Sequence, residues 1–172
     1  MKKLSFLVVL GFLLLVSFYS PNTQSSIVHV DTDYILNKIP AYKDAMNELD
    51  ALAQQYKADI DSRIKEVDSL FQVYQKNEVL MTPEMKSRLK QQIAEKDKEV
   101  KTLQKKYFGP KGLLAQKREE LLKPIMDNVY KAVEEMAKQA HYDYVFDKAT
   151  GEILYANENN DQSDVILKKL GY

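Results

Sequence analysis

The chain has 172 residues, enough for one domain, and its 25 basic and 25 acidic side chains cancel at neutral pH. The absence of cysteine excludes disulfides, thiol catalysis, thiolate metal sites and lipidation at an N-terminal cysteine. A net charge of zero gives no reason to expect nucleic acid as a partner.

The first residues have the pattern of an export signal. Lys2 and Lys3 precede an apolar run from Leu4 to Phe18, which is short for a helix that must cross a bilayer. A small-x-small pattern at Thr23-Gln24-Ser25 favours cleavage after Ser25 and predicts a signal peptide over residues 1–25. The alternative is an uncleaved leader that is kept as a membrane anchor. In both cases we expect the bulk of the protein to leave the cytoplasm.

A short strand and a short helix are predicted next. The β-branched run from Ile27 to Asp31 favours a strand. Thr32 or Asp33 then suits the N-cap of a helical turn over Tyr34 to Lys38.

The following segment predicts one very long helix. From Pro40, which suits a first helical turn, to about Glu78 there is no glycine and no further proline. Its apolar residues recur at heptad spacing from Tyr42 to Tyr56, which favours a coiled-coil seam, and the two four-residue steps to Ile60 and Ile64 then break the strict heptad. The seam consists of Tyr42, Ala45, Leu49, Leu52, Tyr56, Ile60, Ile64, Val67, Phe71 and Tyr74. At about 1.5 Å per residue the helix is roughly 55–60 Å long, which a compact domain of this size cannot bury.

A second helix is predicted to fold back along the first. Thr82 suits its N-cap and Pro83 its first position, and its apolar pattern continues to about Tyr107. Because the join is short, residues 40–107 are expected to form an antiparallel helical hairpin, or arm. In that arrangement Gln54 to Lys101 would span nearly matched lengths of the two helices.

The two helices of this arm differ in charge. Lys43 to Glu78 holds five basic and eight acidic residues, whereas Lys86 to Lys106 holds eight basic and three acidic ones. Opposite charges on facing helices are expected to set their register more than their stability, because exposed ion pairs contribute only about 0–1 kcal/mol. The basic run also suggests peripheral contact with anionic lipid, although its interleaved acidic residues favour a solvated helix face.

The rest of the chain predicts a third helix, a hairpin and a last helix. The Phe108-to-Gly112 break precedes a helix over Leu113 to Ala140, which Pro124 should kink or divide. Two strands, Tyr142 to Phe146 and Ile153 to Tyr155, are expected to pair as a hairpin. Ser163 suits the cap of a final helix.

These elements predict a single domain, residues 26–172, of α+β class and mostly helical. Its body comprises residues 26–39 and 108–172, and the arm projects from it. A small sheet with open edges needs another surface, so we expect oligomerisation through the sheet. The residues expected at that interface are Val28, Val30, Val145, Phe146, Ile153 and Tyr155.

No catalytic, cofactor or metal site is predicted, and an enzyme is not expected. His29 and His141 are the only histidines, and neither lies in a metal-binding spacing. Asp31 and Asp33 are explained by a strand end and a helix cap. The segment from Asn157 to Asp164 lacks the glycine and terminal glutamate of a calcium loop.

The sequence favours binding to other proteins over catalysis or metal binding. A two-helix hairpin cannot bury every aromatic and methionine residue of its seam, and such side chains adapt to varied partners. The candidate contact residues cluster towards the tip of the arm: Tyr56, Phe71, Tyr74, Met81 and Met85.

Four segments of the chain resemble the Skp/OmpH family of periplasmic chaperones. They are VHVDTDYILNKIPAYKDA (Val28 to Ala45), LQKKYFGPKG (Leu103 to Gly112), KREELLKPIMDNVYKAVEEMA (Lys117 to Ala137) and YDYVFDKATGEILYAN (Tyr142 to Asn157). The resemblance implies a jellyfish-like homotrimer, in which sheets join in the body and three arms enclose a cavity. It further implies a periplasmic holdase that binds unfolded outer-membrane proteins without ATP.

The best-known members of that family are strongly basic, whereas this chain is neutral. We therefore expect apolar contacts to hold clients here. The alternative function is a structural or adaptor coiled-coil protein of the cell envelope with one dedicated partner. A holdase should keep several unrelated unfolded proteins soluble, whereas an adaptor should prefer one folded partner.

Overall fold

A computed structural model describes residues 26–172, so the predicted signal peptide lies outside the described residues. In chain order the elements are β1 (Ile27–Val30), α1 (Thr32–Lys38), α2 (Pro40–Asn77), α3 (Pro83–Phe108), α4 (Leu113–Ala140), β2 (Tyr144–Asp147) and α5 (Ser163–Leu170). Short 3₁₀ turns lie at Glu78–Leu80, Lys148–Thr150 and Glu158–Asn160. The helices α2 and α3 form the arm, and the remaining elements form the body.

The sheet differs from the predicted hairpin. It has two strands, β1 and β2, which run parallel with Val28 opposite Val145 and His29 opposite Phe146. The prediction of a strand over Ile153 to Tyr155 is wrong, because that segment is irregular. Within one chain β2 pairs with β1 and not with this segment, and the other edge of β1 is occupied: Asp161 bridges to His29, and the Gln162 N–H donates to the His29 carbonyl at 2.9 Å. Ile153 to Tyr155 therefore pairs with neither strand, and the outer edge of β2 has no strand partner among the described residues.

The core of the body forms between one face of this sheet and three helices. Val30 of β1 and Val145 of β2 pack against apolar side chains of α1, α4 and α5. Ile35, Val129 and Ile166, one from each helix, are fully buried at 0% exposure. On the opposite face His29 is buried beside Asp161, whereas Ile27, Tyr144 and Phe146 have no covering layer from the described residues.

Two of the predicted helix caps belong to neighbouring residues. Asp31, not Thr32 or Asp33, caps α1, because its carboxylate accepts a hydrogen bond from the Tyr34 N–H at 2.9 Å. Ser163 is the first residue of α5 and does not cap it. Instead the Asp161 carboxylate accepts from the Ser163 N–H at 2.8 Å.

The arm is the helical hairpin that the sequence predicts. The helix α2 has 38 residues and is roughly 57 Å long. Thr82 caps α3 by accepting from the Met85 N–H at 3.3 Å, and Pro83 occupies its first position, as predicted. Ile60, Tyr74 and Val100 are buried between the two helices.

Contacts across the arm fix its register. Tyr56 stacks on Tyr107 with ring centroids 4.1 Å apart, and Glu66 lies 3.8 Å from Lys96 in an ion pair. Lys101 therefore lies opposite the turn of α2 around Asp61, and the predicted match between Gln54 and Lys101 is wrong. The acidic and basic helices do form this ion pair across the arm, but most of the ion pairs described here lie within one helix.

The join between the arm and α4 depends on glycine. Gly112 is buried, and a Cβ atom there would lie 2.8 Å from the Tyr107 carbonyl oxygen and 2.8 Å from the Gly109 nitrogen. Only glycine fits such a close approach. Beyond it α4 runs unbroken through Pro124, so the proline does not begin a new segment.

Candidate functional site

The two histidines lie in separate parts of the fold. His29 is 5% exposed, with its Nε2 atom 3.5 Å from an Asp161 carboxylate oxygen. His141 ends α4 in the left-handed conformation, with φ 57°. Among residues 26–172 no cluster of three or more histidine or acidic side chains is arranged to hold a metal ion.

Asp161 joins the C-terminal loop to β1. Its carboxylate accepts from the hydroxyl of Ser163 at 2.5 Å, and the same hydroxyl oxygen accepts from the Asp31 N–H at 2.8 Å. Lys148 lies 3.7 Å from the other oxygen of Asp161. Burial raises the pKa of Asp161, but the hydrogen bonds from Ser163 and the positive groups nearby outweigh it and lower that pKa below its usual value.

This lowered pKa predicts a loss of stability in acid. A carboxyl group whose pKa is lower in the folded state contributes its full stability above its unfolded pKa of about 3.9, and the contribution is lost progressively as the pH falls from there through the lower pKa of the folded state. We expect Asp161→Asn to lower the free energy of unfolding by about 1 kcal/mol at pH 7, because charge-assisted hydrogen bonds become neutral ones. Urea unfolding at pH 7 and at pH 3 measures the difference, which should shrink at pH 3.

Asp68→Asn is the matched control for this prediction, because Asp68 is exposed on the arm. It should leave the free energy of unfolding unchanged at both pH values. Equal stability of Asp161→Asn and the parent protein at pH 7 would contradict the role assigned to Asp161.

The uncovered face of the sheet is the first exposed apolar surface. It carries Ile27, Tyr144 and Phe146, which are 49%, 57% and 49% exposed. Tyr144 and Phe146 stack with ring centroids 6.2 Å apart. Of the residues predicted for the interface, Phe146 lies on this face, whereas Val28 and Val30 are buried within the protomer.

The segment after β2 extends this surface. Leu154 is 100% exposed and Tyr155 is 84% exposed, and Ile153 is half-buried. Ile153 and Tyr155 line a groove beside Phe146, with a volume of about 330 Å³. Ile27, Tyr144 and Leu154 were missed by sequence reasoning. The sequence pattern that could have identified two of them is the alternation of side chains in a strand, which places Ile27 and Tyr144 on the face opposite the core.

The tip of the arm is the second exposed apolar surface. Phe71 and Met85 are 49% and 52% exposed, and Met81 is half-buried. The other two predicted contact residues pack inside the arm. Tyr56 lies against Tyr107, and Tyr74 is only 8% exposed, with its hydroxyl donating to Glu78 at 2.8 Å.

Sequence reasoning missed the most exposed residues of the tip. Val79 and Leu80 in the connecting turn are 95% and 83% exposed. Their signal was the apolar run Val79-Leu80-Met81 in a turn, where polar residues are usual. Together these exposed and half-buried residues form a surface that we call the tip patch: Phe71, Val79, Leu80, Met81 and Met85.

Comparison with known proteins places this architecture in a family. The profile described as Outer membrane protein (OmpH-like) matches residues 26–170. The chain belongs to the OmpH-like family. The predicted resemblance is thereby confirmed, and with it the mostly helical fold with a small sheet and a long hairpin arm.

A solved OmpH-like protein has a similar fold. It is a candidate outer membrane chaperone (OmpH-like) from Caulobacter crescentus CB15, with a TM-score of 0.64 and 9% sequence identity. The alignment covers 86% of this chain and 85% of that chain, and at this identity the likeness shows the fold alone. No curated protein matches the chain. None of the helices in residues 26–172 is long and apolar enough to cross a membrane.

Proposed function

We propose that this OmpH-like protein is a periplasmic holdase that binds unfolded outer-membrane proteins without ATP. Membership of the family supports a chaperone role, and the leader-like residues 1–25 support export. The proposed activity needs binding surfaces and no catalytic group. The location of the protein is tested by fractionating cells and by sequencing the N-terminus of the periplasmic form, which should begin at Ser26.

The observation that carries the proposal is the tip patch. Four of its five apolar side chains are 49–95% exposed, and they lie at the end of an arm roughly 57 Å long, far from the core of the body. Exposed apolar patches mark interaction surfaces. A surface of adaptable aromatic, aliphatic and methionine side chains suits many unfolded partners better than one folded partner.

The decisive experiment compares this holdase with the alternative, an envelope adaptor. Several unrelated β-barrel proteins are diluted from urea, with and without the protein, and light scattering follows their aggregation. A holdase should suppress the aggregation of all of them at near-stoichiometric ratios. An adaptor should suppress none and should instead retain one folded envelope protein in a pull-down.

We propose further that three copies assemble through the uncovered face of the sheet. Phe146, Tyr144 and Ile27 would form the apolar centre, and the exposed segment around Leu154 and Tyr155 would pair with the free edge of β2 in a neighbouring copy. An open sheet edge and an apolar face both favour such assembly. Three arms would then enclose one cavity. Sedimentation analysis measures the mass of the assembly, which should be that of three chains.

The tip patch gives a separable prediction. We expect Val79→Ser with Leu80→Ser to leave stability within about 0.5 kcal/mol of the parent, because both side chains are solvent-exposed. Affinity for an unfolded β-barrel protein should fall several-fold, because apolar contact area is lost. Fluorescence titration measures the affinity, and circular dichroism measures the helix content.

Tyr74→Ser serves as the contrasting variant. Tyr74 is buried, hydrogen-bonded to Glu78 and covered by Lys90, whose Nζ lies 5.3 Å from the ring centroid. The Tyr74→Ser substitution should destabilise the end of the arm. Unchanged client affinity in the double serine variant would exclude Val79 and Leu80 from client binding.

A further inference from the structure

The methionine side chains differ in their access to solvent. Met46, Met81 and Met126 are half-buried, and Met136 in the core of the body is 4% exposed. Met85 is 52% exposed, which makes it the only exposed methionine among residues 26–172. A small reagent in the solvent therefore reaches the thioether of Met85 before those of the other four described methionines.

Methionine is also the side chain of this protein that a two-electron oxidant attacks most readily. The chain contains no cysteine and no tryptophan, so neither a thiol nor an indole competes for the oxidant. The thioether sulfur is soft and polarisable, and its oxidation to a sulfoxide is a common reaction of methionine in proteins. Solvent exposure and sulfur reactivity thus coincide at Met85.

The position of Met85 separates its side chain from the packing that holds the arm together. Its N–H donates to the Thr82 hydroxyl at 3.3 Å in the first turn of α3, but its side chain shares the tip patch with Val79 and Leu80. The oxygen of a sulfoxide carries partial negative charge, which the positive end of a helix tolerates. Oxidation of Met85 should therefore alter the tip patch and leave the helices intact.

We propose that Met85 is a reversible oxidation site through which peroxide inactivates the tip patch. A lone pair of the Met85 Sδ attacks one oxygen of hydrogen peroxide, so that an S–O bond forms and the O–O bond breaks. The second oxygen leaves as hydroxide, takes the proton from the new S–OH group and becomes water. The sulfur loses two electrons, the peroxide gains them, and the product is methionine sulfoxide.

The sulfoxide changes the character of the tip patch. A flexible apolar side chain becomes a polar one, and its oxygen holds water that an apolar contact would have to displace. Affinity for an unfolded client should fall several-fold. A methionine sulfoxide reductase reverses the reaction, because two thiols reduce the sulfoxide to the thioether and yield a disulfide and water. The inference rests on the proposed function, since the tip patch is the surface proposed there to bind clients.

The experiment oxidises the protein with hydrogen peroxide, stops the reaction with free methionine and locates the added oxygen by peptide mass spectrometry. Sulfoxide should appear at Met85 before it appears at Met46, Met81 or Met126. Fluorescence titration with an unfolded β-barrel protein then compares the affinity before and after oxidation. The chain itself has no tryptophan, so tryptophan emission comes from the client alone. Circular dichroism should show unchanged helix content.

Met85→Leu is the decisive variant, because leucine keeps the apolar volume and cannot be oxidised in this way. Oxidation should weaken client binding several-fold in the parent and less than twofold in Met85→Leu. Met126→Leu is the matched control: Met126 packs against the core of the body, so this variant should respond to oxidation as the parent does. Met85→Gln, which is polar like the sulfoxide, should weaken binding several-fold without oxidant. A sulfoxide reductase with dithiothreitol should restore the affinity of the oxidised parent.

Unchanged affinity in the parent oxidised at Met85 overturns the proposal and leaves the holdase function standing. An equal loss of affinity in oxidised Met85→Leu also overturns it, as does oxidation of Met46 or Met126 ahead of Met85. A fall in helix content has the same consequence, because oxidation would then act through unfolding.

A fluorescent dye that binds exposed apolar surfaces gives a measurement that needs no client. Its emission should fall on oxidation of the parent and stay unchanged on oxidation of Met85→Leu. If the parent binds no client but the dye shows this difference, the oxidation site in the tip patch is supported and the holdase function fails. If the dye shows no difference between the two proteins, the oxidation site does not control the tip patch and the proposal is overturned.

Discussion

Phe146→Asp should give folded monomers in place of the proposed trimer. Phe146 is 49% exposed on the uncovered face of the sheet, so a carboxylate there stays hydrated in a single protomer. In an assembly it would be buried without a partner, at a cost of several kcal/mol for each copy. Sedimentation velocity should show the mass of one chain, and circular dichroism should show unchanged helix content.

Val165→Asp is the matched control for this variant. Val165 is 44% exposed on α5, in the helical layer that covers the other side of the sheet. It should leave the assembled mass unchanged. If Phe146→Asp kept the full mass of the parent, the uncovered face of the sheet would not be the interface, and the exposed segment around Leu154 would have to be tested next.

Shortening the arm should abolish holdase activity and preserve the body. In the observed register Asp61 and Lys101 lie at the same height along the arm. Residues 62–100 can therefore be replaced by a short Gly-Asn connector without shifting one helix against the other. The deletion removes roughly 24 Å of α2 and the whole tip patch. The body should still fold and assemble, because its core is built from β1, α1, α4, β2 and α5. Suppression of aggregation should be lost.

The control for this deletion is a variant that replaces only the connecting turn, residues 78–81, with Gly-Asn residues. It keeps the full length of both helices and loses Val79, Leu80 and Met81, together with the Glu78 carboxylate that accepts from Tyr74. It should retain partial holdase activity, because Phe71 and Met85 remain. A shortened arm that prevented aggregation as well as the parent would contradict a mechanism in which the arms enclose the client.

Assigning the contact surfaces also changes which residues should be mutated. Tyr56 and Tyr74 belong to the packing of the arm, so a variant that removes them tests stability and client binding together. Val79 and Leu80 at the tip separate these effects, because both side chains are exposed and lie outside the packing of the arm.

Local signals in the sequence were enough to predict the arm and its ends. The heptad seam from Tyr42, the absence of helix breakers after Pro40, and the cap Thr82 before Pro83 each act within a few residues along the chain. Helical hydrogen bonds join residues four apart, so this information is complete without knowledge of the fold. The bounds of α2, α3 and α4 followed from it closely.

Strand pairing and helix register were decided by the tertiary structure. The sequence of Ile153 to Tyr155 has β-forming residues, but β2 pairs in parallel with β1, and Asp161 and Gln162 occupy the next edge. A strand forms only where a second strand supplies hydrogen-bond partners, and that choice joins residues more than 100 positions apart. The helix register that places Lys101 beside Asp61 likewise depends on the contact between Tyr56 and Tyr107 across the arm.

The exposure of each apolar residue was the remaining unknown. From the sequence Tyr74 and Phe71 are equivalent members of one seam, yet Tyr74 is 8% exposed and Phe71 is 49% exposed. Which face of α2 meets α3 at each turn depends on how the two helices cross, because the spacing of the seam departs from a strict heptad at Ile60 and Ile64. The sequence by itself determined that apolar residues exceed what a two-helix arm can bury, and the tertiary structure decided which of them face solvent.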